Sequence, residues 1–170
     1  MNPFEKLLNF KSPNQNAIPN ISLYMDQLLE YFESTLGDLK RQDEDAVLTK
    51  TMINNYVKSG LIKAPERKKY NRETISDLMV VYHMKKAFSI QDTSHILEIM
   101  KSTPGYYDYF ISEQDQVRSD ILSKLDSEPE NLNPEMALSL LKQLSIEVTI
   151  KKQLAEQLID YLSSTTRVQK

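Results

Sequence analysis

The sequence predicts a mainly α-helical protein, arranged as a winged helix-turn-helix with additional C-terminal helices. Only three glycines occur in 170 residues, and apolar residues recur at spacings of three and four, which is the pattern of helices with one buried face. Residues 61–70 break this pattern because they contain Pro65, which cannot continue a helix. The same ten residues carry four cations, as expected of a basic wing.

Composition limits the class of protein. Hydrophobic residues make up 40% of the chain and charged residues 26%, which is ordinary for a globular protein. The chain has no cysteine, which excludes disulfides, thiolate zinc sites and cysteine redox sensing. No apolar run reaches the length of a membrane span, and residues 1–10 lack the apolar core of a signal peptide. We therefore expect a cytoplasmic protein that does not bind membranes.

Charge is distributed unevenly along the chain. Residues 46–72 contain seven Lys and Arg side chains and one Glu, a local balance of +6, whereas the whole chain has a net charge of −3. The remainder must therefore sum to −9. A basic region in an acidic protein is typical of a surface that contacts phosphate. The other interpretation is a solvated basic loop on a helical domain.

The chain divides into three predicted parts. Residues 1–19 contain three prolines and predict a flexible N-terminal arm. Residues 20–103 form the predicted winged helix-turn-helix domain, and residues 104–170 form a helical extension. The first helix is predicted over 20–39, with Asn20 or Ser22 as its N-cap, and residues 40–48 form a charged connector.

A second helix is predicted over residues 49–58, with Thr49 as its N-cap. Ile53 and Tyr56 belong to its inner face, and the outer face has no acidic residue. Asn and Lys side chains suit base edges and phosphates respectively. The outer residues of this helix that we expect to contact DNA are Lys50, Asn54, Asn55 and Lys58.

The predicted wing follows directly. Leu61–Ile62 and Lys68–Tyr70 predict two paired strands, with a basic turn between them. Four cations within seven residues repel one another, and their placement suggests an external anion. The complete set of candidate DNA-binding residues is Thr49, Lys50, Asn54, Asn55, Lys58, Lys63, Arg67, Lys68, Lys69, Tyr70 and Arg72.

Three more helices are predicted after the wing. They cover 72–87 with Asn71 as N-cap, 89–103 with Ser89 as N-cap, and 106–125. The last of these has Phe110, Val117, Ile121 and Leu125 as its expected core line.

The final helical region begins at Pro134, with Asn133 as its N-cap. Its apolar residues follow a heptad pattern over residues 137–162, with Lys151 as the polar member. Such a face packs on the chain's own helices, on a second copy, or on both, so a homodimer is one expectation. The β-branched residues 148–150 predict a break in the helix. The seam residues are Leu141, Leu144, Val148, Leu158 and Leu162.

Features of catalysis are not recognisable in the sequence. His83 and His95 are the only histidines, and neither has a partner at ligand spacing, which indicates core or boundary positions. No glycine-rich phosphate loop occurs. We therefore expect neither an enzyme nor a bound metal or cofactor.

The residues from Met52 to Met100 resemble the MerR-like winged-helix domain. An aromatic, a glycine and two aliphatics end the second helix, at Tyr56, Gly60 and 61–62. A proline then precedes basic wing residues, and Tyr70 is followed by Leu78 eight positions later. The resemblance implies binding to double-stranded DNA. The helix here departs from that pattern, because Asn54 and Asn55 stand at central positions that are basic and aromatic in MerR proteins. The wing is also shorter.

A closer resemblance covers residues 17–125. The stretches 18–27, 48–62 and 68–75 are similar to the bacterial family of domain of unknown function 1836, which is regarded as MerR-related. The resemblance implies a transcriptional regulator that binds DNA. Two alternatives stay open: an adaptor that keeps the winged-helix shape but binds protein, and an architectural excision-type factor that bends DNA. The sequence identifies no small-molecule effector.

Overall fold

A computed structural model describes residues 6–7, 9–123 and 133–168, with side chains as far as residue 165. The described elements are β1 (Leu23–Tyr24), α1 (Met25–Leu36), α2 (Lys50–Lys58), β2 (Lys69–Tyr70), α3 (Arg72–Met84), α4 (Ile90–Lys101), α5 (Tyr106–Ser123) and α6 (Pro134–Val168). The prediction of a mainly α-helical protein is confirmed. None of these helices has the length and apolarity that a membrane span requires. The chain forms two compact units, Met1–Lys124 and Leu125–Lys170.

Helix α3 is the centre of the first unit. Its N-cap is Asn71, as predicted, and the Asn71 side chain accepts a hydrogen bond of 2.9 Å from the Thr74 backbone N–H. All nine residues from Thr74 to Tyr82 are buried. The sequence predicts a helix with one buried stripe, but α3 is enclosed on every side. Its core partners include Leu28, Phe32 and Leu36 of α1.

The segment before β1 contributes to the first unit. Ile18 is fully buried in the core. The Tyr107 hydroxyl donates to the Pro13 carbonyl at 2.8 Å, and Asp108 accepts from the Gln15 backbone N–H at 2.8 Å. The predicted flexible arm therefore differs from the structure over residues 10–19, because contacts with α5 fix this segment. Helix α3, which is also distant in sequence, adds hydrogen bonds from Arg72 to the carbonyls of Ile18 and Pro19 and from the Ser76 hydroxyl to Gln15 Oε1, at 3.1 Å.

The strand pairing differs from the predicted hairpin. Strand β2 pairs antiparallel with β1, with Leu23 opposite Tyr70 and Tyr24 opposite Lys69. The predicted strand at residues 61–62 is wrong: both side chains are buried, and the Ile62 N–H donates to the Tyr56 carbonyl at 3.2 Å. The predicted helix start near residue 20 is also wrong, because residues 23–24 form β1.

The boundaries of α2 and α4 agree with prediction. The Thr49 hydroxyl accepts from the Met52 backbone N–H at 3.1 Å, and the Ser89 hydroxyl accepts from Asp92 at 3.0 Å. After α2, Gly60 takes a φ of 77°, a left-handed conformation that glycine adopts without steric cost. The chain can therefore reverse directly after α2.

Helix α5 belongs to the first unit, which extends to Lys124, so the domain boundary predicted after residue 103 falls too early. Its buried residues are Tyr107, Phe110 and Ile111. Val117 is largely exposed, so the predicted core line is wrong there. Leu125 lies outside the described residues.

Helix α6 is one continuous helix of 35 residues. Asn133 caps it as predicted, accepting from the Met136 backbone N–H at 2.9 Å. The predicted break at residues 148–150 does not occur. Thr149 instead donates its hydroxyl proton to the Ile146 carbonyl at 2.8 Å, within the helix.

Candidate nucleic-acid interface

The basic turn between α2 and α3 is a tight hairpin. Glu66 and Lys69 exchange two backbone hydrogen bonds, with N–O distances of 3.0 and 2.9 Å. The two residues between them, Arg67 and Lys68, have φ angles of 49° and 65°. Positive φ at both central positions defines a type I′ turn, which normally contains Asn or Gly. The turn therefore places two long cationic side chains where the backbone disfavours them.

This conformation carries an energetic cost. A non-glycine residue in the left-handed region loses about 1–2 kcal/mol relative to its favoured conformation. Arg67 and Lys68 are both exposed, and no ion pair holds either side chain within the described residues. Backbone strain of this kind is concentrated at functional sites in proteins. The hairpin tip is therefore the strongest candidate contact surface.

Other cations of the hairpin have partners within the protein. Lys63 Nζ lies 2.9 Å from Glu66 Oε1, and this hydrogen bond raises the pKa of Lys63. Lys69 Nζ lies 4.7 Å from the centre of the Tyr24 ring, a cation–π contact. The lysine–glutamate pair is exposed, so it contributes little stability and its lysine can exchange to another anion.

The outer face of α2 is polar and lacks acids. Asn54, Asn55 and Lys58 are exposed, and no Asp or Glu occurs between Lys50 and Lys58. Lys50 Nζ lies 2.7 Å from Asp26 Oδ1, a carboxylate at the start of α1. The N-terminal end of α2 therefore has a nearby acid that the sequence pattern of α2 alone does not reveal.

Three predicted site residues have structural roles. Tyr70 is 3% exposed and belongs to the core. Arg72 donates from its guanidinium to the carbonyls of Ile18, at 3.0 Å, and Pro19, at 3.5 Å. Thr49 is half-buried and caps α2. Tyr70 is therefore removed from the surface, and the guanidinium of the half-buried Arg72 is held by carbonyls from a distant part of the chain. For these two residues the prediction of an open DNA contact is corrected.

Tyr24 also belongs to this surface, although the sequence pattern did not predict it. Its side chain is half-exposed beside Lys69, while its neighbour Leu23 is buried. Alternation of buried and exposed residues is the signal of a strand. The apolar residues 21, 24 and 25 also fit a helix, and this pattern concealed the strand.

His83 is half-buried at the edge of the core, next to α5. Its ring lies 5.1 Å from Tyr82 and 5.9 Å from Phe110, between ring centres, and its Nε2 has no hydrogen-bond partner. Burial lowers the pKa of His83 to about 3, aided by the charges of Lys86 and Arg118. The ring is therefore neutral near pH 7. Among the described residues, no group of three acidic or histidine side chains is arranged to hold a metal.

The predicted seam of α6 is exposed. The exposed fractions of its side chains range from 41% to 66% for Leu141, Leu144, Val148, Leu158 and Leu162. Lys151 pairs with Glu147 one turn earlier, at 2.7 Å.

The structure thus defines a mainly α-helical protein with a small two-stranded sheet and an exposed basic hairpin. Residues 13–116 match the model of a family described as domain of unknown function DUF1836, and the chain belongs to this family. No curated protein and no solved structure matches the chain.

Proposed function

We propose that this protein is a transcriptional regulator that binds double-stranded DNA through a MerR-like winged helix-turn-helix. The observation that carries the proposal is the strained hairpin tip at Arg67 and Lys68, where two exposed cations have no ion-pair partner among the described residues. Because the turn tolerates these residues only at a cost in stability, their presence favours a role in binding an external anion.

The order of elements supports this assignment. Helices α1 and α2 supply the two helices of a helix-turn-helix, and the hairpin ending in β2 supplies the wing. In this arrangement α2 is the recognition helix. The connector between its two helices, residues 37–49, is longer than a typical turn of this motif. The order of elements resembles that of the MerR domain, and the longer connector is a difference from it.

The proposed DNA contacts are of two kinds, contacts with phosphates and contacts with bases. Lys58, Lys63, Arg67, Lys68 and Lys69 are the proposed phosphate contacts. Asn54 and Asn55 are the proposed base contacts, because their amides can bond adenine in the major groove. Lys50 would have to break its ion pair with Asp26 before it could contact a base edge or a phosphate. Five phosphate contacts predict a slope of about −4.5 in a plot of log affinity against log salt concentration.

The sharpest test combines Arg67→Asn with Lys68→Gly. Asn and Gly suit a type I′ turn, so the hairpin should become more stable while it loses two charges. The magnitude of the salt slope should fall by about 1.8, measured by fluorescence anisotropy on duplex fragments selected from genomic DNA. A matched variant, Lys11→Gln with Lys142→Gln, removes the same charge from exposed lysines elsewhere and should keep the original slope.

Each alternative has a distinct outcome. Unchanged DNA binding in the hairpin variant would overturn the proposed interface. Absence of duplex binding at low salt, together with a stoichiometric acidic protein partner, would identify an adaptor. Strong bending of the bound DNA would indicate an architectural factor. Replacing Asn54 and Asn55 by Ala should reduce sequence preference and leave the salt slope nearly unchanged.

We also propose that α6 forms a parallel homodimer. Glu147 precedes the seam residue Val148, and Lys152 follows the seam position of Lys151. In a parallel coiled coil these flanking positions, five residues apart, face each other across the dimer. Glu147 of one copy would therefore meet Lys152 of the other. Lys151 within the seam would lower stability and help to fix the register.

Light scattering at micromolar concentration tests the dimer. Leu144→Lys should give a monomer, whereas Ile146→Lys, an exposed apolar position away from the seam, should leave a dimer. Glu147→Lys should weaken association, and adding Lys152→Glu should restore it. A monomeric wild-type protein would refute the proposal, and failure of restoration would refute the parallel orientation.

A further inference from the structure

A cavity lies where the connector before α2 meets the end of α3. Its volume is about 410 Å³, within the range of small-molecule sites. The connector contributes Val47 and Leu48, α2 contributes Met52 and Tyr56, and α3 contributes Tyr82. The cavity therefore contacts the proposed recognition helix from its inner side, away from Asn54 and Asn55, which do not line it.

The lining is apolar with two phenol groups. Val47 and Leu48 are buried, and so are Tyr56 and Tyr82, which are 4% and 8% exposed. Among the described residues neither tyrosine hydroxyl has a hydrogen-bond partner. Both hydroxyl oxygens are accessible from the cavity, since the buried, unpaired side-chain atoms of the described residues are the Tyr31 hydroxyl and His83 Nε2. Each hydroxyl can therefore donate to a ligand that enters the cavity. Burial raises the pKa of both tyrosines, so each carries a proton that it can donate.

The rim of the cavity is cationic. Four basic residues line it, Lys40, Arg41, Lys85 and Lys86, against one acid, Asp45. Lys40 is paired with Glu33, and Lys85 donates to the Phe88 carbonyl at 2.8 Å. Lys86 lies 4.4 Å from the centre of the Tyr82 ring and forms no ion pair within the described chain. Arg41 likewise has no hydrogen bond or ion pair there.

We propose that this cavity binds the anion of an apolar carboxylic acid. The carboxylate would accept hydrogen bonds from the hydroxyls of Tyr56 and Tyr82 and lie close to Lys86. The hydrocarbon part would contact Val47, Leu48 and Met52. An anion without an apolar part would leave the exposed Met52 side chain in water. An apolar molecule without charge would leave the two hydroxyl donors and the ammonium group of Lys86 without a partner.

Binding should also affect α2. The occupant would contact the connector, the first turns of α2 and the end of α3 together, so it would stabilise one position of α2. This second claim, that the ligand changes DNA affinity, rests on the proposed function. The binding site itself does not, because its binding is measured without DNA.

Calorimetry with four probes tests the chemistry: octanoate, 1-octanol, acetate and inorganic phosphate. Octanoate should bind at least tenfold more tightly than each of the other three. Equal binding of octanol would mean an apolar hollow without anion recognition, and equal binding of phosphate would mean a general anion site. Either result, or no binding of octanoate, would overturn the proposal.

Conservative variants locate the binding. Tyr82→Phe keeps the ring beneath Lys86 and removes only the hydroxyl, so it should weaken octanoate binding about tenfold. Lys86→Ala should weaken it similarly. The matched controls are Tyr161→Phe and Lys142→Ala, at exposed positions on α6, and they should bind octanoate normally. Unchanged binding in both cavity variants would refute this site.

The coupling is measured separately, as DNA affinity with and without saturating octanoate. A change should be matched by an equal change in octanoate affinity when DNA is bound. If the protein binds octanoate but no DNA, the cavity proposal stands and the proposed function fails. If it binds DNA with an affinity that octanoate does not alter, only the coupling is refuted.

Discussion

Replacing His83 by Phe should make the protein more resistant to acid. Burial, with the nearby charges of Lys86 and Arg118, lowers the pKa of His83 to about 3 in the folded protein. In the unfolded chain a histidine has a pKa of about 6.5. Between these values the unfolded state binds a proton that the folded state does not bind. Stability that is present above pH 6.5 is therefore lost as the pH falls toward 3.

The magnitude at pH 5 follows from the unfolded pKa, because the folded value lies well below 5. A difference of about 1.5 pH units, at 1.36 kcal/mol per unit, makes the cost about 2 kcal/mol. The Phe ring can keep the contacts with Tyr82 and Phe110 and has no titratable nitrogen. The variant should also relieve the unpaired Nε2 of the wild type.

Urea unfolding at pH 5 and pH 7, followed by circular dichroism, measures the effect. Other carboxylates and histidines titrate equally in both proteins, so the difference between wild type and variant isolates His83. Val81→Ala is the control: it removes buried apolar volume two residues before His83 and should lower stability equally at both pH values. If His83→Phe retains the full wild-type loss between pH 7 and pH 5, the assigned pKa and its cause are wrong.

Three further predictions concern stability in urea at neutral pH. Gly60→Ala should cost about 1–2 kcal/mol, because φ is 77° there although nothing lies near the added Cβ; a neutral effect would contradict the left-handed turn. Thr49→Ala removes the N-cap of α2 and should cost about 1 kcal/mol, while Thr49→Ser should recover most of it. Leu78→Ala shortens a fully buried side chain and leaves a cavity in its place, so it should cost about 2–5 kcal/mol, whereas Leu78→Met should cost less than about 1.5 kcal/mol.

The starts of α2, α3, α4 and α6 were predictable because their causes are local, whereas the start of α1 was not. Thr49, Asn71, Ser89 and Asn133 each accept a hydrogen bond from a backbone N–H three residues later. Those partners are fixed by sequence spacing alone. The apolar periodicity likewise identified buried residues such as Ile53 and Tyr56, because one helix face follows directly from residue order.

Strand pairing was not predictable in the same way. Residues 69–70 were correctly expected in a strand, but their partner is β1 rather than residues 61–62. Two short apolar stretches have no local feature that selects one partner over another. Helix α3 is buried on all sides over residues 74–82. The apolar spacing in the sequence indicated only one buried face, so it did not predict this.

The candidate interface likewise combines features that the sequence determines with features that only the tertiary structure determines. Sequence alone determined the basic region, its acid-free helix and its exposed hairpin cations, because charge and turn-forming residues lie close together in the chain. Only the tertiary structure assigned Tyr70 to the core and Arg72 to the carbonyls of Ile18 and Pro19. It also gathered the cavity residues from the connector, α2 and α3. The physical reason is that local bonds depend on neighbours in sequence, whereas burial depends on segments that meet only after the chain has folded.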